Sequence, residues 1–153
     1  MKITVTINGK PTQIELTADQ VAKIKNQTVT ERIKTFEDAC IDLGISLDLE
    51  EIETNLINTD VGNYACIAFI KLQIIAKALN EGWKADWNNS SQYKYYPWFK
   101  SDGKSGFSFD VYDCGGSGSG VGSRLCYRTK ELAEYAGKQF EALYSEYLSY
   151  DNE

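Results

Sequence analysis

From Lys2 to Ile7 the chain alternates, with Ile3, Val5 and Ile7 apolar and Lys2, Thr4 and Thr6 polar. A two-residue period puts the apolar side chains on one face of a β-strand. Thr12–Leu16 repeats the pattern, and Asn8-Gly9 between the two runs tolerates the positive φ of a tight turn, so a β-hairpin is predicted. Pro11 removes one ladder donor from the second strand and marks it as an edge. Thr17, with Gln20 three residues on, forms a capping box for a short helix whose inner residues are Val21 and Ile24.

Beyond Thr28 the period lengthens. Ile33, Phe36, Ala39, Cys40 and Leu43 recur every three or four residues, which predicts an amphipathic helix starting at Thr28 or Thr30 and ended by a left-handed Gly44. Ile45–Thr59, acidic at Asp48, Glu50, Glu51 and Glu53, reads as a loop with one helical turn. Asp60 opens a third helix to Gly82, whose apolar residues (Tyr64, Ile67, Ala68, Leu72, Ile75, Leu79) cover more than one face, so it is predicted to be the central helix. Four short strands of an antiparallel meander follow: Trp83–Trp87, Tyr93–Phe99, Phe107–Tyr112 and Arg124–Tyr127. Thr129 caps a last helix to about Tyr147, with Leu132, Ala136, Phe140, Leu143 and Tyr147 inward. The expected fold class is α+β: a small antiparallel sheet, N-terminal hairpin plus C-terminal meander, packed against about four helices. Residues 1–153 are expected to form a single domain, with 1–27 as a semi-independent element.

A chain of 153 residues suits one domain with a sizeable core, and 42% hydrophobic against 25% charged residues excludes a disordered polymer. A net charge of −6 argues against coating duplex DNA, yet leaves a local basic groove open. There is no histidine, so the commonest general base and the Ser-His and Cys-His nucleophile pairs are absent and enzyme chemistry is disfavoured. The N-terminus lacks the apolar core of a signal peptide, and Lys71, Gln73 and Lys77 interrupt the longest apolar stretch, so no membrane partner is expected. Cys40, Cys66, Cys114 and Cys126 show no CxxC spacing and read as free thiols of a cytoplasmic protein, with no cofactor and no metal site.

Three features could carry function. The first is Tyr93-Lys94-Tyr95-Tyr96-Pro97-Trp98-Phe99-Lys100, continued by Lys104 and Phe107: interleaved rings and cations of the kind that stack bases and hold phosphates of single-stranded nucleic acid. On a strand Tyr93, Tyr95 and Pro97 point one way and Lys94, Tyr96 and Trp98 the other, so half of the rings pack as core. The second, Gly115–Arg124, has alternating glycines matching no phosphate-binding fingerprint and reads as a mobile hairpin connection. The third, Asp86, Asp110 and Asp113, could gather carboxylates, but Asp110 and Asp113 fall on opposite strand faces unless a bulge intervenes.

Phe36–Cys40 with Leu43-Gly44-Ile45, Lys71–Trp83, Tyr95–Phe99 and Gly122–Phe140 together resemble segments of small uncharacterised proteins from phages and prophages of gut Bacteroidetes, over Thr30 to Tyr147. The resemblance implies a protein acting inside an infected bacterial cell or within a virion, and it lends no activity and no site residue. The expectation is therefore a non-enzymatic phage-type accessory protein. Its ligand-binding residues would be Tyr93, Lys94, Tyr96, Trp98, Lys100, Lys104 and Arg124, and its partner a single strand or another protein. The alternative is a virion or assembly component forming a homo-oligomer through the same face. An enzyme using Asp110, Asp113 or Glu81 comes third.

Overall fold

A computed structural model describes residues 2–7, 10–15, 17–19, 26–49, 51–52, 63–101, 103 and 106–149. In chain order these form β1 (Lys2–Ile7), β2 (Lys10–Glu15), α1 (Val29–Arg32), α2 (Phe36–Leu43), α3 (Asn63–Leu79), β3 (Lys94–Ser101), β4 (Phe107–Gly115), α4 (Lys130–Gln139) and α5 (Glu141–Leu148). The fold is α+β. β1 and β2 pair antiparallel from Lys2↔Glu15 to Ile7↔Lys10, with Pro11 opposite Thr6, and form a sheet separate from β3–β4. The Asn8-Gly9 turn, Gln20–Lys25 and the start of the third predicted helix lie outside the described residues.

The predicted second helix is two. Thr28 caps α1 with Glu31 as its box partner, and the backbone and hydroxyl hydrogen bonds of Thr28 hold the Glu31 carboxyl below its usual range. The chain then leaves helical geometry, because Thr35 is a second cap. Its hydroxyl accepts Asp38 N–H (3.1 Å), and the Asp38 carboxylate accepts Lys34 N–H (3.0 Å) and Thr35 N–H (2.9 Å). Gly44 ends α2 at φ 63°, and Ile45 N–H reaches back to Cys40 O at 2.9 Å, as the sequence predicts.

α3 is the axis of the core. Ala68, Leu72, Ile75, Ala78 and Leu79 are fully buried and lie on more than one side of it, each larger side chain contributing about 1.5–3 kcal/mol by leaving water. It packs between α2 and α5, while α4 lies across β3 and β4 and α5 against β4. The layers thus run from the β3–β4 hairpin through α4 and α5 to α3 and then α2. Gly137 makes the first of these contacts possible, because the Phe109 ring and Pro97 Cβ occupy the space a Cβ there would need. At the centre, the buried Tyr127 and Tyr144 hydroxyls share a 3.0 Å hydrogen bond.

Three further departures shape the functional surface. Trp83–Trp87 is irregular and not a strand, running into a turn at Trp87: Asn88 N–H bonds to the Asp86 carboxylate (3.0 Å) and Asn89 N–H to Asp86 O (3.3 Å), which diverts the backbone from any ladder. From Arg124–Tyr127 only Tyr127 pairs, in a single bridge to Tyr95. The last predicted helix bends at Phe140 (φ −114°, ψ 27°), and Glu141 just beyond it accepts Phe109 N–H at 2.8 Å, capping the β4 edge.

Candidate functional site

The β3–β4 hairpin has one face on the helices and one turned outward. Tyr95, Phe99 and Tyr112 pack inward, Phe99 against Tyr144 with ring centroids 4.7 Å apart. The register runs Lys94↔Gly115 to Trp98↔Val111, then shifts so that Phe99 faces Phe109. Asp110 is the extra residue of a β-bulge, the condition required to bring Asp110 and Asp113 to one face. The outward face therefore carries Tyr96, Trp98, Lys100, Ser108, Asp110, Val111 and Asp113.

Its polar groups are satisfied internally. Lys100 Nζ lies 2.7 Å from the Asp110 carboxylate. Asp113 accepts the Tyr96 hydroxyl (3.1 Å) and Cys114 N–H (2.7 Å). Burial, and then the bond to Asp113, pushes the Tyr96 phenol above its ordinary range. Both carboxylates are thus engaged within the face. Glu81, the third acidic candidate, bridges Arg32 and Arg128, holding the end of α3 (φ 48° at Glu81) to α1 and to the segment before α4. Asp86 is occupied within its own turn.

The centre of the face is apolar and open. Trp98 is 50% exposed and Val111, directly across the ladder, 46%. Tyr93, 54% exposed, flanks the strand with its ring 6.4 Å from that of Tyr95.

Lys94 requires a correction. Alternation puts it on the outward face, but it is fully buried. Its ammonium donates to Asp86 O, Asn89 O (3.0 Å) and Gly116 O (2.9 Å), and sits 5.2 Å from the Trp87 ring centroid. Three carbonyls and an aromatic face replace its hydration, so it ties two loops to β3 and offers nothing to a phosphate. Tyr96 is likewise buried, at 9% exposure.

The Gly/Ser segment is held too, contrary to the expected mobile connection. Besides the Lys94 tether at Gly116, Trp87 Nε1 donates to Ser123 Oγ (2.7 Å), and Ser119 Oγ accepts Val121 N–H (3.1 Å) and Gly122 N–H (2.9 Å). A Cβ on Gly116 would stand 2.5 Å from Ser90 O, so glycine is required where this segment meets the 88–91 turn.

Of the residues expected to form one site, Trp98 and Lys100 share the open face; Tyr93 is exposed just before β3 with its ring by inward Tyr95; and Lys94 and Tyr96, though of outward parity, are buried. Lys104 lies outside the described residues. Arg124 belongs elsewhere, lining a pocket with Lys77 and Trp83. Val111 was not singled out from the sequence, and only the register against Trp98 reveals it. Among the described residues no three metal-ligating side chains gather, and no helix is long and apolar enough to cross a membrane. None of the four cysteines is in a disulfide, and burial raises the Cys126 thiol. No protein-family model matches the chain, and neither a curated protein nor a solved structure is significantly similar to it.

Proposed function

We propose that this is a non-enzymatic binding protein that docks a protein partner on the outward face of the β3–β4 hairpin. The observation that carries the reading is the Trp98–Val111 cross-strand pair, each about half exposed on a strand scaffold fixed from behind by α4 and α5. A rigid, exposed tryptophan beside an aliphatic neighbour is what protein interfaces use as an anchor. Protein is favoured over a single strand by charge. Lys94 is interior, Lys100 is paired, and Asp110 and Asp113 stand where phosphates would have to pass. The setting, a bacterial cell carrying a phage or prophage, rests on the sequence resemblance.

A photo-crosslinking residue at position 111, compared with one at the exposed Ser117, tests the reading in bacterial cells. A discrete product at 111, absent at 117 and lost on Trp98→Ala, supports it; equal products at both positions, or none, refute it.

One observation favours a second occupant. Lys100 and Asp110 give the face opposite charges side by side, so a copy related by a two-fold axis could pair each with the other. This is the subunit-interface alternative. Light scattering of the purified 17.2 kDa chain decides it: a dimer abolished by Trp98→Ala supports self-association, and a monomer at high concentration removes it.

A further inference from the structure

Between α3 and the segment that follows β4 lies a half-open pocket of about 360 Å³, within the size range of small-molecule sites. It shares no residue with the outward hairpin face. Ile45, Ile74 and Ala76 supply apolar wall, and the half-buried Trp83 offers a planar ring. Gln73 and Ser123 add polar groups, and because Ser123 Oγ already accepts Trp87 Nε1, its own hydrogen is left to donate. The wall is braced by Asn80, whose amide donates to Cys126 O (2.9 Å) and accepts Arg128 N–H (2.9 Å).

Two cations converge here, Lys77 from α3 and Arg124 from the braced segment. Among the described residues neither has a carboxylate within 4.0 Å; Lys34, Lys71 and Lys84 also lack one, but none of these lines the pocket, so what sets Lys77 and Arg124 apart is that both line one concavity. No carboxylate among the described residues lines the pocket. On a chain of net charge −6, two unpartnered cations in one concavity with an aromatic ring favour an anion bearing a flat apolar group.

We infer that this pocket binds a nucleoside monophosphate, its phosphate held by Arg124 and Lys77 and its base against Trp83. Phosphate supplies the bidentate acceptor that a guanidinium fits, and base stacking on an indole adds about 1–3 kcal/mol. The site is independent of the protein-docking face.

Calorimetric titration of the full chain with AMP, adenosine and inorganic phosphate tests the inference. Saturable one-to-one binding of AMP is expected, with adenosine and phosphate each weaker by about tenfold or more, the worth of one charge-assisted hydrogen bond or one stacked base. Arg124→Ala and Lys77→Ala should each weaken AMP by about tenfold with thermal unfolding unchanged, since neither side chain has an ion-pair partner to lose. Trp83→Leu should weaken AMP but not phosphate, and Trp98→Ala and Lys100→Ala should leave AMP untouched, separating this site from the hairpin face. The inference is overturned by no saturation in the millimolar range, by phosphate binding as tightly as AMP, by wild-type affinity in Arg124→Ala and Lys77→Ala, or by an equal loss in Lys100→Ala.

Discussion

Lys94→Met separates a buried tether from a surface ligand residue. Methionine keeps the unbranched apolar stem and removes the ammonium, leaving the carbonyls of Asp86, Asn89 and Gly116 without their donor. Each charge-assisted bond is worth about 1.5–3 kcal/mol, so three give a gross loss of about 5–9 kcal/mol. Offsetting this, the mutant no longer desolvates an ammonium, a penalty of several kcal/mol in proteins, and part of the carbonyl surface regains water as the loops open. The contact with the Trp87 ring adds about 1–2 kcal/mol at a desolvated site. The balance is a destabilisation of about 3–5 kcal/mol, a large fraction of the 5–15 kcal/mol typical of a domain. Urea unfolding measures it, and amide exchange across Gly115–Ser123 locates it, since the Gly116 end of that segment loses its anchor. A surface lysine replaced by methionine would change stability by no more than about 0.5 kcal/mol. A cost that small, with exchange in Gly115–Ser123 unaltered, would refute the tether.

Other consequences follow from the packing and the buried hydroxyls. Gly137→Ala gains helix propensity of about 1 kcal/mol, but its methyl meets the Phe109 ring and, at 2.8 Å, Pro97 Cβ, so overpacking of about 1–3 kcal/mol or more should dominate and lower the melting temperature. Burial raises the phenols of Tyr127 and Tyr144 above the ordinary value of 10.0. The folded state therefore holds these protons when the unfolded chain releases them; the stabilisation is complete below pH 10 and is lost as pH rises beyond it. Thermal melts should show a steep alkaline decline that Tyr127→Phe with Tyr144→Phe makes shallower. Glu81→Gln loosens two partly exposed arginine pairs and should cost about 1 kcal/mol in low salt, less as ionic strength rises in a denaturant series.

From Tyr95 to Lys100 the alternation correctly assigns the two strand faces, and Gly44 marks its helix end, because both signals are local. What covers a face is not local. Lys94 and Trp98 have the same parity, yet one lies beneath the 86–91 turn and Gly116 while the other meets solvent, a difference set by how a neighbouring turn and a segment 22 residues away fold over the strand end. The bulge at Asp110 is equally silent, since register depends on both strands at once. The break before α2 was legible in principle: Thr35 followed by Asp38 is a capping box, overshadowed by the longer apolar period from Ile33 to Leu43. Lys77 and Trp83 escaped notice because one reads as an interruption of a buried helix and the other as a strand residue, and only the fold brings Arg124 beside them.

The corrected position of Lys94 connects the two surfaces. The expected aromatic–lysine platform supposed that rings and cations would act together, but the fold separates them. Trp98 remains outward on β3 with no unpaired cation among the described residues of the face, while Lys77 and Arg124, each without a carboxylate partner among the described residues, line a pocket with a different ring, Trp83. Lys94 stands between these regions, rooted in β3 and holding the turn and the Gly116 end of the segment that leads to Arg124. With Trp87 holding Ser123 at the other end, Gly115–Arg124 is presented in one shape, which a run of that composition would not adopt unaided. The glycines allow the close approach to the 88–91 turn, and the buried lysine supplies the acceptor-satisfying charge at its centre. On this view the basic residue that looked most like a ligand contact acts by placing another one: Lys94 fixes the segment that carries Arg124, the residue proposed to meet the anion.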